Sequence, residues 1–161
     1  MNDLPYRKNI RLEHSVYSLG YVFFITIDTY GRYPWFSKYP ELTAKTAQIM
    51  HQIRTERGSI IYAWCVMPTH IHLLLQDNDI IGFIRLLKGR IVPIARSLES
   101  GRRLWQRSFY DHALWQEESL EDISLYIWQN PVRSGLVDRP SKYPWLGSEV
   151  WFDWREWYER G

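Results

Sequence analysis

Hydrophobic patterning in the first half of the chain predicts three strands and one helix. Segments rich in β-branched and aromatic residues favour buried strands at 20–28, 59–67 and 70–75. Pro68 and Thr69 predict a tight turn between the last two strands. Residues 42–57 instead carry apolar side chains at helical spacing, and Gly58 follows at the position where helices commonly end.

The second half of the chain predicts another helix, a short strand and a third helix. Apolar residues between 79 and 98 recur at alternating steps of four and three, which places them on one helix face, while Pro93 predicts a kink. A strand at 108–111 follows. Ser119 then fits the N-cap of the last helix, with Asp122 at its third position.

The order strand, helix, strand, strand, helix, strand is that of the split βαβ, ferredoxin-like arrangement. We therefore predict an α+β fold with a four-stranded antiparallel sheet and two helices on one face. The strand at 70–75 is expected in the interior of the sheet. The opposite face is left open for the C-terminal helix or for a ligand.

Two histidines at the start of that strand carry the first chemical signal. Side chains at positions i and i+2 of a strand share one face, so His70 and His72 point the same way, as half of a possible metal site. One turn apart on the last helix, Tyr126 and Asn130 lie along one edge, and Pro131 places Asn130 near a kink or helix end.

Together these four side chains could cleave a phosphodiester. A tyrosine hydroxyl can attack phosphorus while a divalent cation, held by two imidazoles and one amide oxygen, neutralises the phosphate oxygens. The ligands do not fix the metal, because imidazole suits zinc while open oxygen-rich positions suit Mg²⁺ or Mn²⁺. On these residues alone, polar surface and core packing remain the commoner roles.

Composition favours one compact domain over residues 1–161. Hydrophobic residues make up 45% of the chain and aromatic residues 16%, which is enough for one sizeable core. No segment approaches the roughly 20 apolar residues of a membrane span, and residues 1–8 lack the apolar region of a secretory signal. The single cysteine, Cys65, excludes an internal disulfide, and we expect it to be an inert core thiol. We also expect a cytoplasmic protein.

Positive charge is concentrated between residues 81 and 110. Seven basic residues stand there against one acid, Glu99, although the whole chain carries only +2. Such a stretch is typical of a local surface for a polyanion, and a solvated face that binds nothing is the alternative. Six basic residues are candidates for DNA phosphate contacts: Arg85, Lys88, Arg90, Arg96, Arg102 and Arg103.

The histidine and tyrosine segments resemble the REP-associated tyrosine transposase group of the single-tyrosine HUH transposases. The similarity rests on residues 67–75 (MPTHIHLLL) and 126–137 (YIWQNPVRSGLV). Further agreement lies at 105–112, at 143–145 and in the N-terminal segment 10–12. Thr69, Trp115 and Trp128 depart from the residues usual in this family, which affects details of DNA contact more than the chemistry.

The resemblance implies a ferredoxin-like enzyme that cuts and joins single-stranded DNA beside hairpins such as REP-like repeats. It implies that His70, His72 and Asn130 hold Mg²⁺ or Mn²⁺ and that Tyr126 forms a 5′-phosphotyrosine. A monomer is expected, with a dimer as the alternative. Two other functions stay open: a domesticated hairpin-binding protein that does not cut, and a hydrolase that uses activated water.

Three tryptophans in the tail repeat every three residues, at Trp151, Trp154 and Trp157. This spacing favours a helix that docks on the domain over a ladder for stacking bases. His14 is expected to be an ordinary surface or packing residue.

Overall fold

The computed structural model describes residues 21–114 and 119–156 of the 161-residue chain. Some features discussed from the sequence lie outside these ranges: residues 10–12, His14, Trp115 and Trp157.

The strands form one antiparallel sheet in the order β4-β1-β3-β2-β5. They are β1 (Val22–Asp28), β2 (Ile60–Met67), β3 (His70–Gln76), β4 (Tyr110–Ala113) and β5 (Leu146–Gly147). The first four have the ferredoxin-like order, and β3 lies inside the sheet, as predicted. The predicted fourth strand is shifted by two residues, from 108–111 to β4.

The prediction of four strands was short by one. The additional strand, β5, has two residues, too few to show an alternating pattern, and it pairs with Trp64 and Cys65 at the edge of β2. Gly147 allows this pairing because a Cβ atom there would lie 3.1 Å from the Trp64 Nε1 atom. Only the tertiary contact makes this segment a strand.

Five α-helices are found in the described residues. They are α1 (Trp35–Lys38), α2 (Pro40–Arg57), α3 (Ile80–Leu98), α4 (Leu120–Trp128) and α5 (Asn130–Arg133). Gly58 ends α2 in the left-handed conformation (φ 69°), and the Ser119 hydroxyl accepts the Asp122 N–H at the start of α4, as predicted. Helix α3 continues past Pro93 and ends at Leu98, so Pro93 does not end the helix.

The helices cover the two faces of the sheet unequally. Helices α2 and α3 bury a large apolar core against one face, which includes Ile71, Leu73 and Leu75 of β3. Helix α4 packs on the opposite face in a smaller cluster with Leu74. Since strand side chains alternate between faces, His70 and His72 lie on the α4 side with Leu74.

The described part of the tail docks on α4. Trp154 is 3% exposed, and its ring lies 4.9 Å from that of Trp128 between centroids. Trp151 also contacts Trp128, at 6.3 Å. These contacts confirm that the two tryptophans pack on the domain, but residues 152–155 form turns rather than the predicted helix. Among the described helices, none has the length and apolar character needed to cross a membrane.

Candidate active site

The histidine pair lies where β3 leaves the turn after β2. The ring centroids of His70 and His72 are 4.6 Å apart. Each Nδ1 atom lies 3.0 Å from a threonine Oγ1 atom, that of Thr69 for His70 and that of Thr26 for His72. These bonds orient both rings through Nδ1, so that a cation bound by the pair would contact Nε2 of each ring.

Both imidazoles are neutral near pH 7. Burial lowers the pKa of His70 to about 4, and the positive charge of Arg32 acts in the same direction. Burial also holds the pKa of His72 well below its usual range, with further lowering by His70 and Arg133. A neutral imidazole offers a lone pair, so the pair is ready to bind a cation rather than to act as a charged acid.

Phe24 connects the histidines to the tyrosine helix. Its ring stacks on His72 at 5.5 Å between centroids, and it meets the Tyr126 ring edge-on at 6.0 Å. Phe24 therefore positions β3 and α4 relative to each other at the site. The sequence contained a signal for this role, because Phe24 and Thr26 share one face of β1, but which face meets α4 is decided by the tertiary fold.

Asn130 begins α5 directly after the break that ends α4, which agrees with the effect expected of Pro131. Its Oδ1 atom accepts a hydrogen bond from the Ser134 hydroxyl at 3.4 Å. Among the described residues, the side-chain hydrogen bonds of Asn130, His70 and His72 go to Ser134, Thr69 and Thr26, so none links Asn130 to a histidine.

The two histidines supply only part of the ligand set that a divalent cation needs. Over residues 21–114 and 119–156, no third histidine, cysteine, aspartate or glutamate forms a metal-binding group with the pair. A third ligand from the described residues would therefore be neutral, such as the Asn130 amide, and a cation held by neutral ligands keeps its full charge for an anionic substrate. Cys65 is excluded because it is buried in the core, where burial raises the pKa of its thiol.

Two arginines that the sequence analysis did not select flank this site. The Arg133 guanidinium carbon lies 4.0 Å from the centroid of the Tyr126 ring, and its charge lowers the pKa of His72. Arg32 has a positive φ of 55°, unusual for a residue other than glycine, and its charge lowers the pKa of His70. Arg133 could have been found by spacing, because it lies seven residues, or two helical turns, after Tyr126.

The six basic residues predicted to bind DNA belong to α3 and to the loop that follows it, while α3 packs on the face opposite the histidines. Arg85 is exposed. The Lys88 ammonium donates to the Gln106 carbonyl at 2.8 Å, and Arg90 pairs with Glu56 at 2.7 Å. Both of these cations are therefore engaged within the protein.

The other three predicted residues come together in one groove of about 570 Å³. Arg96, Arg102 and Arg103 line it, and Trp105 contributes an aromatic wall. Arg102 stacks 4.0 Å from the Tyr33 ring centroid and pairs with Glu99 at 2.6 Å. The structure thus separates the histidine and tyrosine residues, on one face of the sheet, from a cationic groove beside α3 that holds three of the six predicted basic residues.

The chain is similar in sequence to two proteins named as REP-associated tyrosine transposases. The chain is 31% identical over 97 residues to a Haemophilus influenzae protein provisionally named a REP-associated tyrosine transposase, covering 52% of this chain and 55% of that protein. It is 26% identical over 110 residues to the REP-associated tyrosine transposase of Escherichia coli, covering 64% of each. The chain thus spans less than two thirds of the length of these relatives.

A solved structure of a REP-associated tyrosine transposase bound to a REP hairpin has the same fold. Its TM-score is 0.68 at 22% identity, with 87% of this chain and 82% of that chain covered. The sequence model described as "Transposase IS200 like" matches residues 15–130, which include the histidine pair, Tyr126 and Asn130. The chain therefore belongs to the IS200-like transposase family.

Proposed function

We propose that this protein is a transposase-type enzyme that nicks and joins single-stranded DNA beside hairpins, with Tyr126 as the nucleophile. One observation carries the proposal. The Phe24 ring contacts both His72 and Tyr126, so a neutral histidine pair and a helix-borne phenol share one side of the sheet. The relatives named as REP-associated transposases supply the substrate class.

In the proposed reaction, the Tyr126 hydroxyl oxygen bonds to phosphorus and the bond from phosphorus to the 3′ oxygen breaks. The phenol proton leaves to solvent, and the departing oxygen takes up a proton to give a free 3′-hydroxyl. The products are a 5′-phosphotyrosine and a DNA end, and attack by a 3′-hydroxyl reverses the step. Because the covalent bond conserves the phosphodiester energy, joining needs no nucleotide cofactor.

His70, His72 and Asn130 would hold a divalent metal, Mg²⁺ or Mn²⁺. When bound, the ion would supply positive charge to the non-bridging phosphate oxygens. The chain's own contribution is to keep both imidazoles neutral by burial and to orient them through Thr26 and Thr69. We propose a monomer that associates with the nucleoid through its hairpin substrate.

The groove beside α3 would bind DNA phosphates away from the reacting linkage. Arg96, Arg102 and Arg103 present guanidinium groups there, and such groups bind phosphate oxygens in pairs. This groove is also the observation that favours the second candidate, a hairpin-binding protein without cleavage, since it does not depend on the histidines.

The direct test uses labelled single-stranded hairpin DNA from the flanks of the protein's own gene. The protein is incubated with this DNA and Mg²⁺ or Mn²⁺, and the products are separated on a denaturing gel. We expect a covalent adduct that requires the metal and is lost in Tyr126→Phe. Tyr62→Phe is the matched control, because that phenol lies on the α4 side but packs on Trp151.

The other functions give different products. Binding of hairpin DNA without an adduct under either metal would identify the non-cutting hairpin binder. Nicked DNA with no adduct, and with activity retained in Tyr126→Phe, would identify a hydrolase. Either result would overturn the tyrosine mechanism.

A further inference from the structure

Arg133 is a charged side chain in direct contact with the proposed nucleophile. Its guanidinium carbon lies 4.0 Å from the centroid of the Tyr126 ring, which is a stacking distance, and its Nη2 atom donates to the Tyr126 carbonyl at 3.0 Å. One side chain therefore contacts both the ring and the backbone of Tyr126. The side chain is exposed, so substrate can reach it.

The stacked arrangement leaves hydrogen-bond donors available. A guanidinium has five N–H groups in its plane, and stacking uses the face rather than the edge. The Tyr126 carbonyl occupies only one Nη2 donor. In the structure, the described residues provide no acidic partner for Arg133, in contrast to Arg90 and Arg102, which are paired with Glu56 and Glu99.

Arg133 lies on the same side of the sheet as the histidine pair. It stacks on Tyr126, and the Phe24 ring contacts both Tyr126 and His72. A fixed cation beside the phenol can neutralise a phosphate under attack by Tyr126.

We infer that Arg133 binds the scissile phosphate through its free guanidinium edge while its stacked face holds the Tyr126 ring in the orientation for attack. The inference deepens the proposed function and depends on it. The reacting DNA linkage would then contact Arg133 on the face of the sheet that carries the histidines, distinct from the phosphates held by the α3 groove.

A purely structural role is the competing explanation, because arginines near helix ends often satisfy the last carbonyl groups. Three variants distinguish a structural role of Arg133 from phosphate binding. Arg133→Gln keeps a hydrogen-bond donor for the carbonyl but loses the charge, and Arg133→Lys keeps the charge but loses the planar stack. Arg139→Gln is the matched control, since Arg139 is an exposed arginine paired at 3.8 Å with Asp138.

The first measurement is the single-turnover rate of adduct formation at saturating hairpin DNA, alongside hairpin affinity and the thermal unfolding midpoint. We expect a loss of rate of about 100-fold for Arg133→Gln. Arg133→Lys should recover part of it, to a loss of about 10-fold. Hairpin affinity should fall only a few-fold, because one phosphate contact among several is lost. The unfolding midpoint and the Arg139→Gln rate should stay unchanged. An unchanged Arg133→Gln rate, or equal losses in Gln and Lys variants with a lowered midpoint, would overturn the inference.

A second measurement does not need the reaction. In Tyr126→Phe protein, which keeps the ring for stacking, phenylglyoxal modification of Arg133 and Arg139 is followed by mass spectrometry with and without the hairpin DNA. We expect bound DNA to protect Arg133 and not Arg139. Equal modification of Arg133 in the DNA complex would overturn the inference. If DNA protects Arg133 but wild-type protein forms no adduct, the proposed chemistry fails while the phosphate contact stands.

Discussion

The two faces of the sheet differ in what their side chains do. On the α2 and α3 face, strand residues such as Ile71 and Leu73 are fully buried in a continuous apolar core. On the α4 face, the same strand presents His70 and His72, and Phe24 sits between His72 and Tyr126. The first face stabilises the fold through its large apolar core. The second face carries the polar groups of the site beside a smaller apolar cluster.

This division shows how a short strand can serve two purposes. The alternation of β3 gives each face its own set of side chains, so the core and the site can change independently. Burying two imidazoles costs free energy unless they are hydrogen-bonded, and Thr26 and Thr69 supply those bonds. If the two faces act separately, a change on one face should leave the role of the other face unaltered.

The largest effect is expected from His72→Gln. Loss of the imidazole removes a ligand for the cation, which should lower the rate of adduct formation by about 100-fold or more. Hairpin affinity, measured by fluorescence anisotropy, should be unchanged because the basic groove belongs to α3 and the loop after it. His51→Gln, an exposed histidine on α2, is the control. A matching loss of hairpin affinity would mean that the two regions are not separate.

Protonation of the histidine pair should destabilise the protein in acid. The pKa of His70 is lowered to about 4 in the folded state, against 6.5 for the free side chain, so the unfolded chain binds the proton first as pH falls. The free energy of unfolding should therefore fall as pH drops from 6.5 towards 4, by about 3 kcal/mol for His70 alone. Urea unfolding with a chelator present measures it, and His70→Gln should flatten this part of the profile. A profile that is equally steep in the variant would contradict the assignment.

The basic groove should control affinity rather than chemistry. Replacing Arg96, Arg102 and Arg103 together by glutamine should reduce the slope of log affinity against log salt by about 2, since each single-strand phosphate contact contributes about 0.7. The rate of adduct formation at saturating DNA should be unchanged. Lys45→Gln, which removes a cation from α2, is the control. A loss of the rate of adduct formation at saturating DNA would show that the groove acts on the reacting linkage.

The smallest effect is expected from Phe24→Leu, which keeps an apolar side chain but removes the ring between His72 and Tyr126. Misplacement of the phenol should lower the rate of adduct formation by about 10-fold. Hairpin affinity should be unchanged. Phe83→Leu, in the opposite core, should lower the unfolding midpoint without changing the rate per folded molecule. Equal rates for the two variants would remove Phe24 from the site.

Local signals predicted much of the fold because they act within a few residues. The left-handed Gly58 that ends α2 and the Ser119 cap of α4 follow from backbone freedom and a single hydrogen bond. Strand β5 could not be predicted in this way. Its two residues form a strand only because Gly147 lets the chain approach Trp64.

The sequence by itself determined that His70 and His72 share a face and that Tyr126 and Asn130 lie near a helix end, because strand and helix periods are local properties. Only the tertiary structure decided that Phe24 joins His72 to Tyr126, that Arg133 covers the phenol, and that the basic groove belongs to α3 on the other face. These contacts join residues from separate elements, and no local period specifies which faces meet when the elements pack.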